Sequence, residues 1–319
     1  MKPLRITALG MAVAALGSTT ATSPLWADYA AAIRAAEAGD FATAFKEASP
    51  LGEAGDPQAQ ALMGTMYENG WGITRDLDLA TRWYEQAAER GHTGAMVAIA
   101  LMLLDGRTGA TDPKKAEQLL LQAAQAGYPP AQHNLGLLYA GAAGFDQDWA
   151  KSAEWFRKAG DQGLADAQYN LGVLYAEGKG VNKDMVQAGS WISKAAAQGL
   201  PDAALDYGVM VFRGEGVQKD EKIGAQWLLV AARQGNAVAQ NRVARLYLTG
   251  RGFTADPVEG AKWNILASQS GRTDPDLDAE IAKLTDEQRA EADLRVRNFM
   301  ARQLAREGPK VATTGVTGG

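Results

Sequence analysis

Apolar and polar positions along this chain follow two superposed periods. Over 165–200, Ala167, Leu171, Leu174 and Tyr175 fall three and four residues apart, the spacing of one stripe of an α-helix. Ala188, Trp191 and Ala195 then form a second stripe, and Gly178-Lys179-Gly180 lies between the two. The spacing predicts two antiparallel helices joined by a glycine turn, with Gly199 closing the pair. Asp184 stands where the second helix begins and is expected to accept from its first free N–H groups, with Gln187 three residues on completing a capping box.

The longer period is 36 residues, and it holds without an insertion. Asp recurs at Asp40, Asp76, Asp112, Asp148, Asp184, Asp220 and Asp256, and Gly at Gly55, Gly91, Gly127, Gly163, Gly199, Gly235 and Gly271. Ala59, Ala95, Ala131, Ala167, Ala203 and Ala239 share one column. Trp83, Trp155, Trp191, Trp227 and Trp263 share another, with Leu119 the exception. Full units span 57–92, 93–128, 129–164, 165–200, 201–236 and 237–272. A helical hairpin of this size cannot bury its own apolar face, so successive hairpins must stack and share a core. The expected fold is all-α, a right-handed αα superhelix of 36-residue helix–turn–helix repeats. In that fold Trp, Ala and Gly columns are architecture: small residues let helices approach and Gly172 makes room for the second helix.

The ends differ. Residues 28–56 read as a partial capping repeat, with Gly39-Asp40-Phe41 opening a helix. Residues 273–306 read as capping helices, a short one over 276–284 and a long one launched by the capping box Thr285-Asp286-Glu287-Gln288. Leu294, Val296, Phe299, Met300 and Leu304 are the side chains expected to seal the last repeat, and 307–319 is expected to be a tail.

The run Ala167-Gln168-Tyr169-Asn170-Leu171-Gly172-Val173-Leu174-Tyr175, followed by Gly178-Lys179-Gly180-Val181, Asp184, Ala188, Trp191, Ala195-Ala196 and Gly199, resembles the Sel1-like repeat, a relative of the tetratricopeptide repeat. The resemblance covers 57–272 in full and 28–56 in part. The second unit departs at Ala100, Leu103 and Leu119, and the third has Ala142-Ala143-Gly144 where a Gly-x-Gly turn is usual. The resemblance implies an adaptor acting through protein–protein contacts. It also implies an exported bacterial protein of a kind that can restrain sensors or affect the envelope.

Composition sharpens this picture. Lys2 and Arg5 precede an apolar run over 6–16 and a polar stretch ending Pro24-Leu25-Trp26-Ala27, the layout of a signal peptide, 1–27, cut after Ala27. That run is too short for a permanent span, and no later stretch is long enough. A periplasmic or secreted location follows. The formal net charge of −5 becomes more negative once Lys2 and Arg5 are removed, which argues against nucleic acid. There is no cysteine, so neither disulfides nor a lipidated N-terminal cysteine is available.

No catalytic pattern emerges. The two histidines, His92 and His133, fit no metal-ligand spacing, and His92 occupies the helix-start position that Asn236 fills elsewhere. Asp274-x-Asp276-x-Asp278 fails as a calcium loop, because Ala279 and Thr285 stand where Gly and Glu are needed. No nucleophile elbow and no phosphate loop occurs. No cofactor and no metal is expected. The second functional class, an envelope enzyme or glycan-binding factor built on paired carboxylates, has no site to point to.

A partner would lie on the side of each first helix away from the hairpin seam. In a tetratricopeptide-like superhelix that side lines a concave groove. Its middle units are apolar: Val97 and Leu101, Leu137, Tyr169 and Val173, then Leu205, Val209 and Phe212. The pattern leaves two accounts open, a groove for a protein or peptide, or side chains covered by neighbouring helices.

Overall fold

The computed structural model describes residues 24–107 and 109–307, which form two compact units divided after Leu164. The first unit runs α1 (Pro24–Glu37), α2 (Phe41–Glu53), α3 (Pro57–Asn69), α4 (Leu77–Glu89), α5 (Thr93–Asp105), α6 (Pro113–Gln125), α7 (Pro129–Tyr139) and α8 (Trp149–Asp161). The second runs α9 (Ala165–Glu177), α10 (Met185–Ala197), α11 (Pro201–Arg213), α12 (Glu221–Arg233), α13 (Ala237–Thr249), α14 (Pro257–Gln269), α15 (Pro275–Ile281) and α16 (Asp286–Glu307). Among the described residues there is no strand and no helix long and apolar enough to cross a membrane. Within each unit the repeat helices, α1–α8 and α9–α14, pack each on its predecessor and successor, and α15 and α16 both pack on α14, so each unit is a short αα-solenoid.

The caps explain the strict 36-residue register. Asp76, Asp112, Asp148, Asp184, Asp220 and Asp256 each start a second helix and accept from its backbone N–H groups. Their own N–H groups are spoken for: Asp184 donates to Tyr175 O at 2.9 Å, and Asp76, Asp112, Asp148, Asp220 and Asp256 repeat the bond to Tyr67, Leu103, Tyr139, Val211 and Tyr247. No capping box therefore closes at Gln187, because the N–H it would take already closes the turn. Gly178 ends α9 as expected, its N–H meeting Leu174 O at 2.8 Å. The third unit departs most: α7 has 11 residues against 13 in α9, and a 3₁₀ turn over Ala142–Gly144 holds Ala143 at φ +53.

His92 caps α5, accepting from Ala95 N at 3.0 Å through Nδ1, while Nε2 faces Gln58 Oε1 at 3.4 Å. Burial lowers its pKa from the usual imidazole value, since the charged form would lose both solvent and the Nδ1 lone pair. A histidine whose folded pKa is depressed stabilises fully above its unfolded pKa of about 6.5 and loses that contribution as pH falls through the folded value. His92→Asn, which keeps a cap that cannot titrate, should match wild type at pH 8 to within about 1 kcal/mol. It should then become the more stable of the two as urea midpoints are followed from pH 7 to pH 5. Parallel curves would show that His92 does not carry this pH dependence.

The deepest side chains are one residue past the Trp column. Tyr84, Leu120, Phe156, Ile192, Leu228 and Asn264 are all buried, whereas the Trp column is divided: Trp191 and Trp263 are buried, and Trp83, Trp155 and Trp227 are only half-buried. The glycine expected to make room does so: a Cβ on Gly172 would stand 2.6 Å from Ile192 Cγ1, and one on Gly136 would stand 2.5 Å from the Phe156 ring. Tyr84 brings a hydroxyl into this column and satisfies it on Glu68 at 2.7 Å and Thr65 at 3.1 Å. A glutamine column joins successive hairpins. Gln60, Gln132 and Gln240 donate to Gly52 O, Ala124 O and Ala232 O at 3.0, 3.1 and 3.2 Å, as second donors to carbonyls at the preceding helix ends that already accept from Gly55, Gly127 and Gly235 N.

At the ends, α1 begins at Pro24, upstream of the expected cut after Ala27, and α1 and α2 pack together as a hairpin. Residues 1–23 and 308–319, which carry most of the expected signal peptide and tail, lie outside the described residues. The box at the start of α16 closes both ways, Thr285 N to Gln288 Oε1 at 3.0 Å and Gln288 N to Thr285 Oγ1 at 3.2 Å. Helix α16 packs on α14 through Ala292, Val296 and Phe299, the last edge-on to Trp263 at 5.3 Å. Leu294, Met300 and Leu304 do not seal the repeat: they fall off that i, i+4, i+7 stripe and stay 43, 45 and 67% exposed.

Candidate functional site

The residues expected to line a binding face divide by unit. In the first unit Leu137 is fully buried, and Val97 and Leu101 are nearly so at 8 and 9% exposure. His133, on the same column as Val97, is also buried, its ring 5.6 Å from that of Phe156. In the second unit Val173 is buried, while Tyr169, Leu205, Val209 and Phe212 pack on the core and remain half-buried. The structure thus keeps a partly open apolar face on α9 and α11, framed by polar groups.

Those polar groups are ordered by helix register. Residues at the same place in successive first helices stand side by side, so a side chain at one column meets its neighbour about 36 residues on. Tyr169 of α9 donates to Asp206 of α11 at 2.9 Å. Asn236, the cap of α13, donates to Asp202 at 2.8 Å, and Asn241 of α13 donates to Asp274, the cap of α15, at 2.8 Å. Arg245 reaches the same Asp274 carboxylate at 2.5 Å. Burial raises the pKa of Asp206, and burial together with the Asp206 charge raises that of the Tyr169 phenol. Arg251 lies over the Phe212 ring at 4.9 Å and pairs with Glu221 at 2.7 Å, closing that end of the face.

The sequence reading does not single out Asp206 or Arg242. The column they share changes along the chain, from Leu62 and Ala98 through Asn134 and Asn170 to Asp206 and Arg242, so no steady recurrence marks them. Their only signal is that switch from apolar or amide to charged. The acids at 274, 276 and 278 serve the helix start: Asp274 caps α15, and Asp278 accepts from Asn264 at 2.6 Å. Among the described residues, no group of three or more His, Asp or Glu could hold a metal ion.

The Sel1 repeat model matches residues 57–92, 93–128, 129–164, 165–200, 201–236 and 237–271. Among solved structures, the chain is similar to c5321, a protective antigen present in uropathogenic Escherichia coli strains displaying an SLR fold, at 26% identity and a TM-score of 0.75. That match covers 93% of this chain and 66% of the other, so the chain spans just under two thirds of its relative. A Sel1 repeat protein from Oxalobacter formigenes is 32% identical, with a TM-score of 0.66 over 78% of this chain and 73% of that one. No curated protein matches the chain.

Proposed function

The chain belongs to the Sel1-repeat family, and on that premise we propose that it is an exported, non-catalytic scaffold that holds a protein or peptide on its first-helix face. Repeats of this family mediate protein–protein interaction, and its solenoids are in general scaffolds without catalysis. The observation that carries the reading is the half-exposed apolar set Tyr169, Leu205, Val209 and Phe212 on α9 and α11, bordered by hydrogen-bonded polar side chains. An apolar centre with a satisfied polar rim is the usual makeup of a recognition surface. Export rests on Lys2, Arg5 and the short apolar run before Ala27, and the protective-antigen role of c5321 supports a place outside the cytoplasm. A periplasmic or secreted site makes a sensor or another envelope component the class of partner.

The test is capture from a periplasmic extract on immobilised chain starting at Asp28, with the Leu205→Asp/Val209→Asp variant beside it. The expected outcome is a stoichiometric protein partner on the wild type and at least a tenfold loss, roughly, on the variant, since each aspartate would sit charged in a desolvated contact. The variant should keep a cooperative melt, lowered from wild type because the substituted positions, though partly exposed, pack on the core. Undiminished capture by the variant, or retention of glycan with no protein, would overturn the reading.

A further inference from the structure

The charged residues on the first-helix face of the second unit are unevenly partnered. Its carboxylates are engaged: Asp202 by Asn236, Asp206 by Tyr169, and Asp274 by Asn241 and Arg245. Arg242 is half-buried on α13, and its guanidinium forms no hydrogen bond or ion pair with any described residue. Burial opposes its charge, and so do the neighbouring Arg213 and Arg272, against the single favourable field of Asp206. Among the described residues Arg213 pairs only with the exposed Glu215, at 3.4 Å. A protein of net charge −5 thus holds a partly desolvated guanidinium with no ion pair among the described residues and two further cations nearby. It stands one repeat of 36 residues after Asp206, in the same column, and Asp206 is the chain neighbour of the partly exposed Leu205, one turn from Val209.

We propose that Arg242 is a carboxylate anchor, and that the second unit binds a peptide segment in which an acidic side chain stands next to apolar ones. This rests on the reading of the first-helix face as a protein-binding surface. The guanidinium fork offers paired N–H donors matched to the two oxygens of a carboxylate, and partial burial strengthens that contact over one in open water. Among the described residues no local acid makes an ion pair with Arg242: Asp206 and Asp202 are instead hydrogen-bonded by Tyr169 and Asn236, and Asp274 is paired with Arg245. Leu205 and Val209 receive the apolar neighbours of the acidic residue. The charge balance selects an acidic ligand over a basic one.

The experiment is to pan a random-peptide display library against the chain starting at Asp28 and to measure an enriched peptide, fluorescein-labelled, by anisotropy. The expected result is enrichment of Asp or Glu beside apolar residues. Affinity should fall by about tenfold or more on Arg242→Gln. The amide analogue of the peptide should lose as much on the wild type and nothing further on Arg242→Gln. Arg242→Lys, which keeps the charge and loses the fork, should fall between, and the melts of both variants should match wild type. Binding that Leu205→Asp/Val209→Asp removes but Arg242→Gln leaves intact overturns the anchor and spares the binding face. Binding indifferent to all these changes overturns both. Absence of enrichment, or preference for an acidic glycan over every peptide, also overturns the anchor.

Discussion

Phe156→Ala should lower the stability of the protein by about 3–5 kcal/mol, and Trp155→Ala, one residue earlier, by clearly less. The usual intuition ranks them the other way, because tryptophan is larger and recurs at five of six equivalent positions. Environment decides. Phe156 is fully buried, and the glycine opposite it exists to admit its ring: a Cβ on Gly136 would lie 2.5 Å from Phe156. Truncating Phe156 leaves a cavity between two helix backbones already in close approach, with little left to collapse into it. Trp155 is half-buried with the Lys158 ammonium 4.0 Å over its ring, so its removal opens a notch that water and the lysine stem can fill. Urea midpoints of the two variants, read by far-ultraviolet circular dichroism, check this. Equal midpoints, or a lower one for Trp155→Ala, would return the Trp column to the centre of the core.

The contrast shows what kind of feature a repeat sequence makes legible. Identity columns announce positions where one residue type alone will do: the capping Asp and the positive-φ Gly. Those columns gave the hairpin, the turn and the register. The core column Tyr84, Leu120, Phe156, Ile192, Leu228 and Asn264 is defined by burial, which many apolar side chains satisfy, so its chemistry drifts and the eye passes over it. Asn264 could join it because its amide meets Asp278 of α15 in place of a further repeat. The glutamine column was visible, since Gln follows the conserved-position Ala at Gln60, Gln132, Gln168 and Gln240, but its meaning required knowing which carbonyls lie within reach. The binding face was legible only as an apolar tendency. What divides Leu137, fully buried, from Val209, half-buried, is packing between hairpins, and the sequence of either helix alone does not encode it. The charged set around Arg242 was not legible, because its partners sit about one repeat away and change from unit to unit.

The second large effect concerns the turn glycines, which one-dimensional reading treats as equals. Gly216→Ala should destabilise by about 3–5 kcal/mol, against about 1–2 kcal/mol for Gly235→Ala. Both residues are left-handed, at φ +73 and +85, so both variants bear the same conformational cost of placing a Cβ there. They differ in what the Cβ meets. At Gly235 nothing lies within 4 Å, but at Gly216 the added carbon would stand 2.0 Å from Met185 O and 2.3 Å from Met185 C. Met185 is the first residue of α10, so the obstacle is helix backbone, which no rotamer change can clear. Relief requires one hairpin to move off the next, losing contacts along the whole seam. The arrangement recurs: a Cβ on Gly72 would stand 2.6 Å from Phe41 C at the start of α2, and one on Gly252 would stand 2.6 Å from Glu221 O at the start of α12. The second glycine of the Gly-x-Gly turn is therefore the point where one repeat seats on the helix start of the repeat before it. Thermal melts of the two variants separate the effects. A Gly216→Ala midpoint no lower than that of Gly235→Ala would mean that the turn bends the chain and does nothing to join the repeats.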